Sequence, residues 1–321
     1  MEKFYENTNN DINIKDYKYY DILIIGAGAA GMSAALNSAR GGKSVIILEK
    51  DSFGGQIAYS PKVENFPSIE SISGMDFSTN LFNQILNWNV QFELENVLNV
   101  QKYKDLFITT TDYNKYVSKV VIIATGVVHR KLNLEHENEL VGKGISYCAI
   151  CDGAFYDNKD VAVIGDANTA LQYALMLSNT SSTVYLCTLF DKFFGEKIYE
   201  ERIKSKENIK VIQNISLQKY LYDDKLTGLV FKNTKTNEEI TLKVDGVFIA
   251  IGLIPKNEIF KDLVDLDNNG YIITNDNMET KTPGIYAIGD CRVKKIRQLT
   301  TAVADGSIVS FNAINYIESK I

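Results

Sequence analysis

The stretch Asp21-Ile-Leu-Ile-Ile-Gly26-Ala-Gly28-Ala-Ala-Gly31 decides the fold. Its apolar run reads as a buried parallel strand, the glycines follow at G-x-G-x-x-G spacing, and residues 32–40 continue as a helix. Gly26 permits the tight turn, Gly28 lets backbone approach a pyrophosphate, and Gly31 lets helix and strand pack closely, with the helix N-terminus turned toward the phosphates. A second strand, Ser44-Val-Ile-Ile-Leu48, runs into Glu49, where a carboxylate can accept the ribose hydroxyls of an adenosine. Each signal alone occurs in ordinary turns. Strand, glycines, helix, strand and acid in register predict a dinucleotide site.

A second unit of this kind lies further on. Val161-Ala-Val-Ile164 leads into Gly165-Asp-Ala-Asn-Thr-Ala170, a helix through Leu177 and a strand Thr183-Val-Tyr-Leu186. Here Ala167 stands where the second glycine belongs, and its methyl crowds a pyrophosphate. Asp166 adds a negative charge beside the place a diphosphate would occupy. Both changes oppose a nicotinamide coenzyme.

Just ahead of this degenerate unit stands Cys148-Ala-Ile-Cys151-Asp152-Gly153. A C-x-x-C pair closes a disulfide with little loop entropy, and its thiolate pKa is commonly lowered, which suits thiol exchange. The other reading is half of a zinc site. Tetrahedral zinc needs four ligands, and Cys187, Cys291, His129 and His136 are not paired at ligand spacing, so no metal site is expected. The two histidines, in a charged linker, are expected at the surface, and Cys187 and Cys291 in packing roles.

With 321 residues, 45% hydrophobic and 23% charged, the chain can bury a large core and is expected to form two domains. Residues 1–20 are polar without an apolar leader core, and no run reaches membrane-spanning length, so a cytoplasmic location is expected. Four cysteines in such a chain do not make a secreted disulfide scaffold. The net charge of -6 argues against nucleic acid as a partner.

Several further segments carry a resemblance. Phe53-Gly-Gly55-Gln56, Val63-Glu-Asn65-Phe-Pro67, Ala124-Thr125-Gly126, Cys148 to Gly153, Ile251-Gly252, Gly289-Asp290 and Arg297-Gln298 occur in the order found in the low-molecular-weight thioredoxin reductase family. Across nearly its whole length the chain resembles that family. The resemblance implies FAD bound by Gly26, Gly28, Gly31, Glu49, Gly55, Gln56, Asn65, Ala124, Thr125, Gly126, Gly289, Asp290, Arg297 and Gln298. It also implies an α/β fold of two Rossmann-like three-layer domains. The FAD domain, residues 17–126 and 252–321, would be split by an inserted degenerate nucleotide-binding domain, residues 127–251, that carries the C-x-x-C pair. Ala124-Thr125-Gly126 and Ile251-Gly252 would serve as paired hinges, residues 1–16 would be disordered, and the assembly would be a homodimer.

The electron donor turns on a third change. Family members that use NADPH carry a His-Arg-Arg run after the second strand of the inserted unit, because a 2'-phosphate needs cationic partners. This chain has Thr188-Leu189-Phe190 there, then Phe194. Losing two charge-assisted contacts of roughly 1.5 to 3 kcal/mol each weakens binding by about two to four orders of magnitude. In this the chain is similar to the clostridial branch whose donor is ferredoxin. The alternatives are an NAD(P)H-dependent enzyme whose pocket draws on Lys192 or Lys197, and a non-catalytic FAD-binding interaction protein. A ferredoxin-NADP reductase of similar fold would have no need for the dithiol.

The resemblance further implies that Cys151 is the flavin-proximal sulfur, that Cys148 attacks thioredoxin, and that Asp152 supplies the proton, which requires a pKa raised by partial burial. Asp152 is otherwise a turn residue before Gly153. Arg292, Lys294 and Lys295 are candidates for a positive surface that docks an acidic ferredoxin, or else form a solvated basic loop.

Overall fold

The computed structural model describes residues 16–60 and 63–320. Apart from Asp16, the segment expected to be disordered lies outside the described residues. The apolar run before the glycines belongs to the strand Lys18–Ile25, whose last four residues are buried. It lies between Val45–Glu49 and Lys115–Ile123, parallel to both, with Ile24 opposite Ile47 on one side and Ile122 on the other. Gln91–Leu94 extends the sheet beyond Val45–Glu49, and Ile285–Ala287 joins Lys115–Ile123 in parallel. Leu106–Thr111 and Val97–Tyr103 continue antiparallel beyond Lys115–Ile123.

Two helices distant in sequence pack together on this unit. Ala29–Arg40 meets Leu299–Glu318 across small residues, and a Cβ built on Gly306 would stand 2.7 Å from the Ala30 oxygen. Ser33 Oγ donates to the Val303 carbonyl at 2.9 Å, and Ser310 Oγ to the Ala34 carbonyl at 2.9 Å. Such contacts between segments about 270 residues apart bring the two ends of the chain into one α/β layer structure. The first helix starts at Ala29, earlier than its pattern predicts, because the last glycine of the motif lies inside the first turn. The last helix runs to Glu318 because Ala313 and Ile317 prolong its buried stripe.

By contacts the chain forms two compact units. One holds the described residues up to Phe53, Asn83–Thr125 and those from Asn257 onward; the other holds Gly54–Phe82 and Gly126–Lys256. The second unit has its own parallel sheet in the order Ile209–Ile212, Thr183–Cys187, Asp160–Ile164, Gly246–Ile249, Ile145–Ser146. A three-stranded antiparallel sheet, Ile215–Tyr222, Leu226–Asn233 and Glu239–Lys243, accompanies it. The fold is mixed α/β and Rossmann-like, as expected. Val127–His129 and Leu253–Pro255, next to the two predicted crossing points, pair as an antiparallel ribbon, and Arg130 N donates to the Gly252 carbonyl at 2.9 Å. Gly126 and Gly252 take positive φ of 64° and 111°, which their lack of a side chain allows. Among the described residues, no helix is long and apolar enough to cross a membrane.

A Cβ on Gly31 would lie 2.0 Å from the Gly26 carbonyl oxygen and 3.3 Å from the Ala124 methyl. Overpacking of this kind costs about 1 to 3 kcal/mol. Gly31→Ala is therefore expected to lower the urea midpoint of unfolding by that equivalent, and an unchanged midpoint would show that the loop yields without strain.

Candidate functional site

The glycine loop of the first unit presents backbone rather than side chains. Gly28 caps the N-terminus of Ala29–Arg40 with no side-chain cap, and the first turn holds no acidic residue. A Cβ on Gly26 would strike the Ala124 oxygen at 2.4 Å, whereas one on Gly28 would meet nothing within 4 Å. Open space therefore faces the uncapped N–H groups at the position where an anion is favoured. Glu49 closes one side, with Oε2 accepting from Ala27 N at 2.8 Å. Ala124 N donates to the Ile25 carbonyl at 2.8 Å, and Thr125 Oγ1 to Asn257 Oδ1 at 3.2 Å. Gly289 completes the rim, since a Cβ there would stand 2.9 Å from the Ala30 methyl.

Beyond Gly289 lies Asp290. Burial pushes its carboxyl up, against the pull of Lys294 and Arg297. Its Oδ1 is buried without a hydrogen-bond partner among the described residues, which leaves an acceptor suited to a ligand hydroxyl. Arg297 lies over the Tyr271 ring at 4.2 Å, and Gln298 caps the last helix, its N–H donating to Thr301 Oγ1 at 3.2 Å. Uncapped helix terminus, open loop, carboxylate and orphaned oxygen fit a flavin dinucleotide. Gly55, Gln56, Asn65 and Gly126 fall in the other unit. There Gly55 opens a short 3-10 turn, Gln56 Nε2 donates to the Val127 carbonyl, and Asn65 is exposed.

The basic surface expected at residues 292–295 is not one. Asp305, 4% exposed on the last helix, accepts from Arg292 Nε at 3.0 Å, Arg292 Nη2 at 3.1 Å, Lys294 Nζ at 2.9 Å and Gly289 N at 2.9 Å. Two of the three cations are thus consumed internally, and only Lys295 is exposed. Charge periodicity could not reveal this, because the neutralising acid lies 11 residues beyond Lys294.

In the second unit Cys148 and Cys151 form a disulfide with Cα atoms 5.3 Å apart. Cys148 caps the short helix Ala149–Asp152, and Cys151 N–H points at its Sγ from 3.2 Å. Asp152 Oδ2 accepts from Ser146 Oγ at 2.7 Å, while Asp152 Oδ1 is buried and unpartnered. Burial raises the Asp152 pKa and the Ser146 bond takes part of that back. Sequence reasoning missed Ser146. Its position two residues before Cys148, on the same face of an extended segment, was the available signal.

Both histidines were expected at the surface. His136 is half-exposed between Glu135 and Glu139, but His129 is largely covered and stacks on Tyr147, 4.9 Å between ring centroids. Burial drives the His129 pKa down to about 4, so the ring is neutral at physiological pH. Tyr147 OH in turn donates to buried Glu137 at 2.7 Å. The linker is apolar on its inner side, which the charges around it concealed. Cys187 and Cys291 are buried, as packing roles require. Among the described residues, no group of three or more His, Cys, Asp or Glu side chains could hold a metal.

The degenerate loop reproduces the first one with different atoms. Gly165 turns at φ +149°, Ala167 takes the capping place of Gly28, and Ala170 that of Gly31. Segment 190–196 then folds onto the first turn of Asn168–Leu177. Phe190 N donates to Asp166 Oδ1 at 3.3 Å and Phe194 N to the Asp166 carbonyl at 2.7 Å. Glu196 N donates to Asn168 Oδ1 at 2.7 Å, and Asn168 Nδ2 to Glu196 Oε1 at 3.1 Å. Gly195 is tight against the helix, where a Cβ would strike Leu171 Cδ1 at 2.4 Å. Phe190 and Phe194 meet edge to face at 5.4 Å, and Lys192, one of the two lysines considered as a phosphate partner, lies over the Phe194 ring at 5.1 Å.

The Asp305 contacts make a stability prediction. Burial raises its carboxyl, but the bonds from Arg292 and Lys294 outweigh burial and hold it below its usual range. A depressed carboxylate contributes stability that is complete above its unfolded pKa, about 3.9, and is lost as pH falls through the folded value. Removing one partner of a buried pair costs about 3 to 5 kcal/mol. Asp305→Ala is expected to lose that much in urea unfolding at pH 7, with a gap to wild type that narrows below about pH 4. A gap independent of pH would refute the charge account.

Comparison with known proteins gives the family. The family model for pyridine nucleotide-disulphide oxidoreductases matches residues 20–306. The chain is 37% identical over 308 residues to a 34.2 kDa protein in the rubredoxin operon of Clostridium pasteurianum, covering 96% of this chain and all of the relative. It is 36% identical over 306 residues to the thioredoxin reductase of Bacillus subtilis strain 168, covering 95% and 97%. Among solved structures, thioredoxin reductase from Streptococcus pyogenes MGAS5005 is similar with a TM-score of 0.90 at 36% identity, over 94% of this chain and 99% of that one.

Proposed function

This chain belongs to the pyridine nucleotide-disulphide oxidoreductase family, and we propose that within it the protein passes electrons from reduced ferredoxin to thioredoxin through FAD and the Cys148–Cys151 pair. At the coarser level it is a flavoprotein disulfide oxidoreductase of the thioredoxin reductase kind, and FAD is its cofactor. The single observation that carries the choice of donor is the degenerate loop before the Asn168–Leu177 helix, where Ala167 replaces a glycine and segment 190–196 is bonded to Asp166 and Asn168. Phe194 N–H on the Asp166 carbonyl and the paired Glu196 and Asn168 tie that segment to the turn, and Ala167 stands where a second glycine would leave room for a pyrophosphate. A phosphate brought there meets the acidic side chains of Asp166 and Glu196 and the methyl of Ala167.

In this reading FAD is held by Gly26, Gly28, Gly31, Glu49, Thr125, Asp290, Arg297 and Gln298 of the first unit. When bound, it supplies the conversion between one-electron donors and a two-electron disulfide. The remaining steps belong to side chains. Reduction of the Cys148–Cys151 bond by two electrons gives two sulfurs, and Cys151 N–H, aimed at Cys148 Sγ, favours the thiolate on Cys148. That thiolate attacks the thioredoxin disulfide, breaking its S–S bond and expelling one thioredoxin thiolate. Cys151 thiolate then attacks Cys148 Sγ, re-forms the enzyme disulfide and expels the second. Two electrons and two protons have passed to thioredoxin. Asp152, whose carboxyl is kept protonatable by burial, supplies one of those protons. Assembly as a homodimer is part of this reading, and sedimentation tests it.

Flavin bleaching in an anaerobic mixture separates the donors. Reduced ferredoxin is expected to bleach the bound flavin and to support thioredoxin reduction, while NADPH and NADH at micromolar concentration do neither at useful rates. Rapid bleaching by NADPH would instead make the protein an NAD(P)H-dependent enzyme with an altered pocket, and no disulfide turnover with any donor would leave a non-catalytic flavin protein. With ferredoxin as donor, Cys148→Ser should abolish thioredoxin reduction yet leave Cys151 able to perturb the flavin spectrum. Cys151→Ser should uncouple flavin from thiol chemistry. Wild-type turnover in either variant would exclude the pair as the active site.

A further inference from the structure

Ser146 is the last residue of the short strand Ile145–Ser146, paired with Phe248 and 3% exposed. Its hydroxyl meets three groups. It accepts from Cys148 N–H at 3.0 Å, and its single proton has two acceptors to choose from, Asp152 Oδ2 at 2.7 Å and the Cys148 carbonyl at 3.4 Å. The shorter contact to a carboxylate is the stronger. With the Ser146 proton on that shorter contact, Asp152 Oδ2 is an acceptor, and a proton taken up by the carboxyl goes to Oδ1. The other oxygen, Oδ1, is buried and has no partner among the described residues.

We infer that Ser146 is the positioning residue of the dithiol site: by donating to Oδ2 it leaves Oδ1 as the one oxygen of Asp152 that binds and releases the exchangeable proton. This rests on the reading of Cys148, Cys151 and Asp152 as the thiol-exchange site. The same hydroxyl fixes the Cys148 backbone, so proton carrier and attacking residue share one anchor. Its bond favours the ionised carboxyl, opposing burial. The other titratable groups that face Asp152 are Tyr156 and Tyr173, with Asp245 acting on Tyr156. Both phenols are held above their usual range, by burial first, and stay neutral through the working pH range.

The experiment follows Asp152 itself. With aspartate labelled at 13Cγ and the Asp152 signal assigned through Asp152→Asn, Ser146→Ala is expected to move the Asp152 titration upward by about one pH unit, tenfold in its ionisation constant. Ser146→Thr, which keeps the hydroxyl, should return it toward wild type. The alkaline limb of thioredoxin turnover should shift in the same direction in Ser146→Ala and be restored in Ser146→Thr. A second measurement needs no variant at Ser146. Difference infrared spectra of wild type against Asp152→Asn, taken below the Asp152 pKa, should show the carboxyl C=O stretch of a hydrogen-bonded oxygen, since the proton sits on Oδ1. A free C=O stretch, or an identical Asp152 titration in wild type and Ser146→Ala, overturns the inference. If the titration responds to Ser146 but wild type reduces no thioredoxin, the placement stands and the functional reading fails.

Discussion

Room for a pyrophosphate at a helix N-terminus is the constraint on which the two units diverge. In the first, Gly26 and Gly31 leave no space for a side chain, so strand and helix close up until backbone touches backbone, and Gly28 faces open volume. The tightness behind the loop is what brings the uncapped N–H groups to the surface of the cradle. In the second unit the same strand, turn and helix are present, but Ala167 stands in the place of Gly28, and chain from Phe190 to Glu196 is bonded to Asp166 and Asn168. The fold is retained while the residues of the loop differ.

Electrostatic satisfaction follows the same division. Around the flavin cradle, Asp305 gathers Gly289 N–H, Arg292 and Lys294, so the turn that carries Asp290 is pinned from behind by a buried charge network. Asp290 is thereby held with one oxygen still unmet. At the dithiol, Ser146 plays a comparable part for Asp152. In both places a carboxylate with an orphaned oxygen is held by groups outside the reacting set, and the orphaned oxygen is the feature that a ligand or a transferable proton can use.

Much of this was legible in sequence because it depends on local patterns. Period and spacing marked the strands on either side of Gly26–Gly31 and Gly165–Ala170, and the C-x-x-C spacing marked the disulfide. Long-range partners were not legible. The run Arg292, Lys294, Lys295 reads as an exposed basic loop until Asp305 is brought back onto it by the last helix. His129 reads as a surface residue until the ribbon pairing Val127–His129 with Leu253–Pro255 sets it near Tyr147. The loss of the cationic run after Thr183–Cys187 was visible as missing residues, whereas the folding of segment 190–196 onto the helix depends on side-chain bonds between residues 28 apart.

The location of proton-carrying groups also follows from burial. His129, the group whose unperturbed pKa best suits proton transfer near neutrality, is covered on the face of Tyr147 and held neutral, with its pKa down at about 4. Asp152 moves the opposite way, because a buried carboxyl resists ionisation. One environment thus disables the imidazole as an acid and enables the carboxyl, and the carboxyl is the group on the helix that Cys148 caps, one residue from Cys151. Thiol exchange needs a proton close to the sulfurs at the moment a thiolate leaves. In the proposed mechanism that task falls to Asp152, whose carboxyl burial raises while the Ser146 bond opposes the rise.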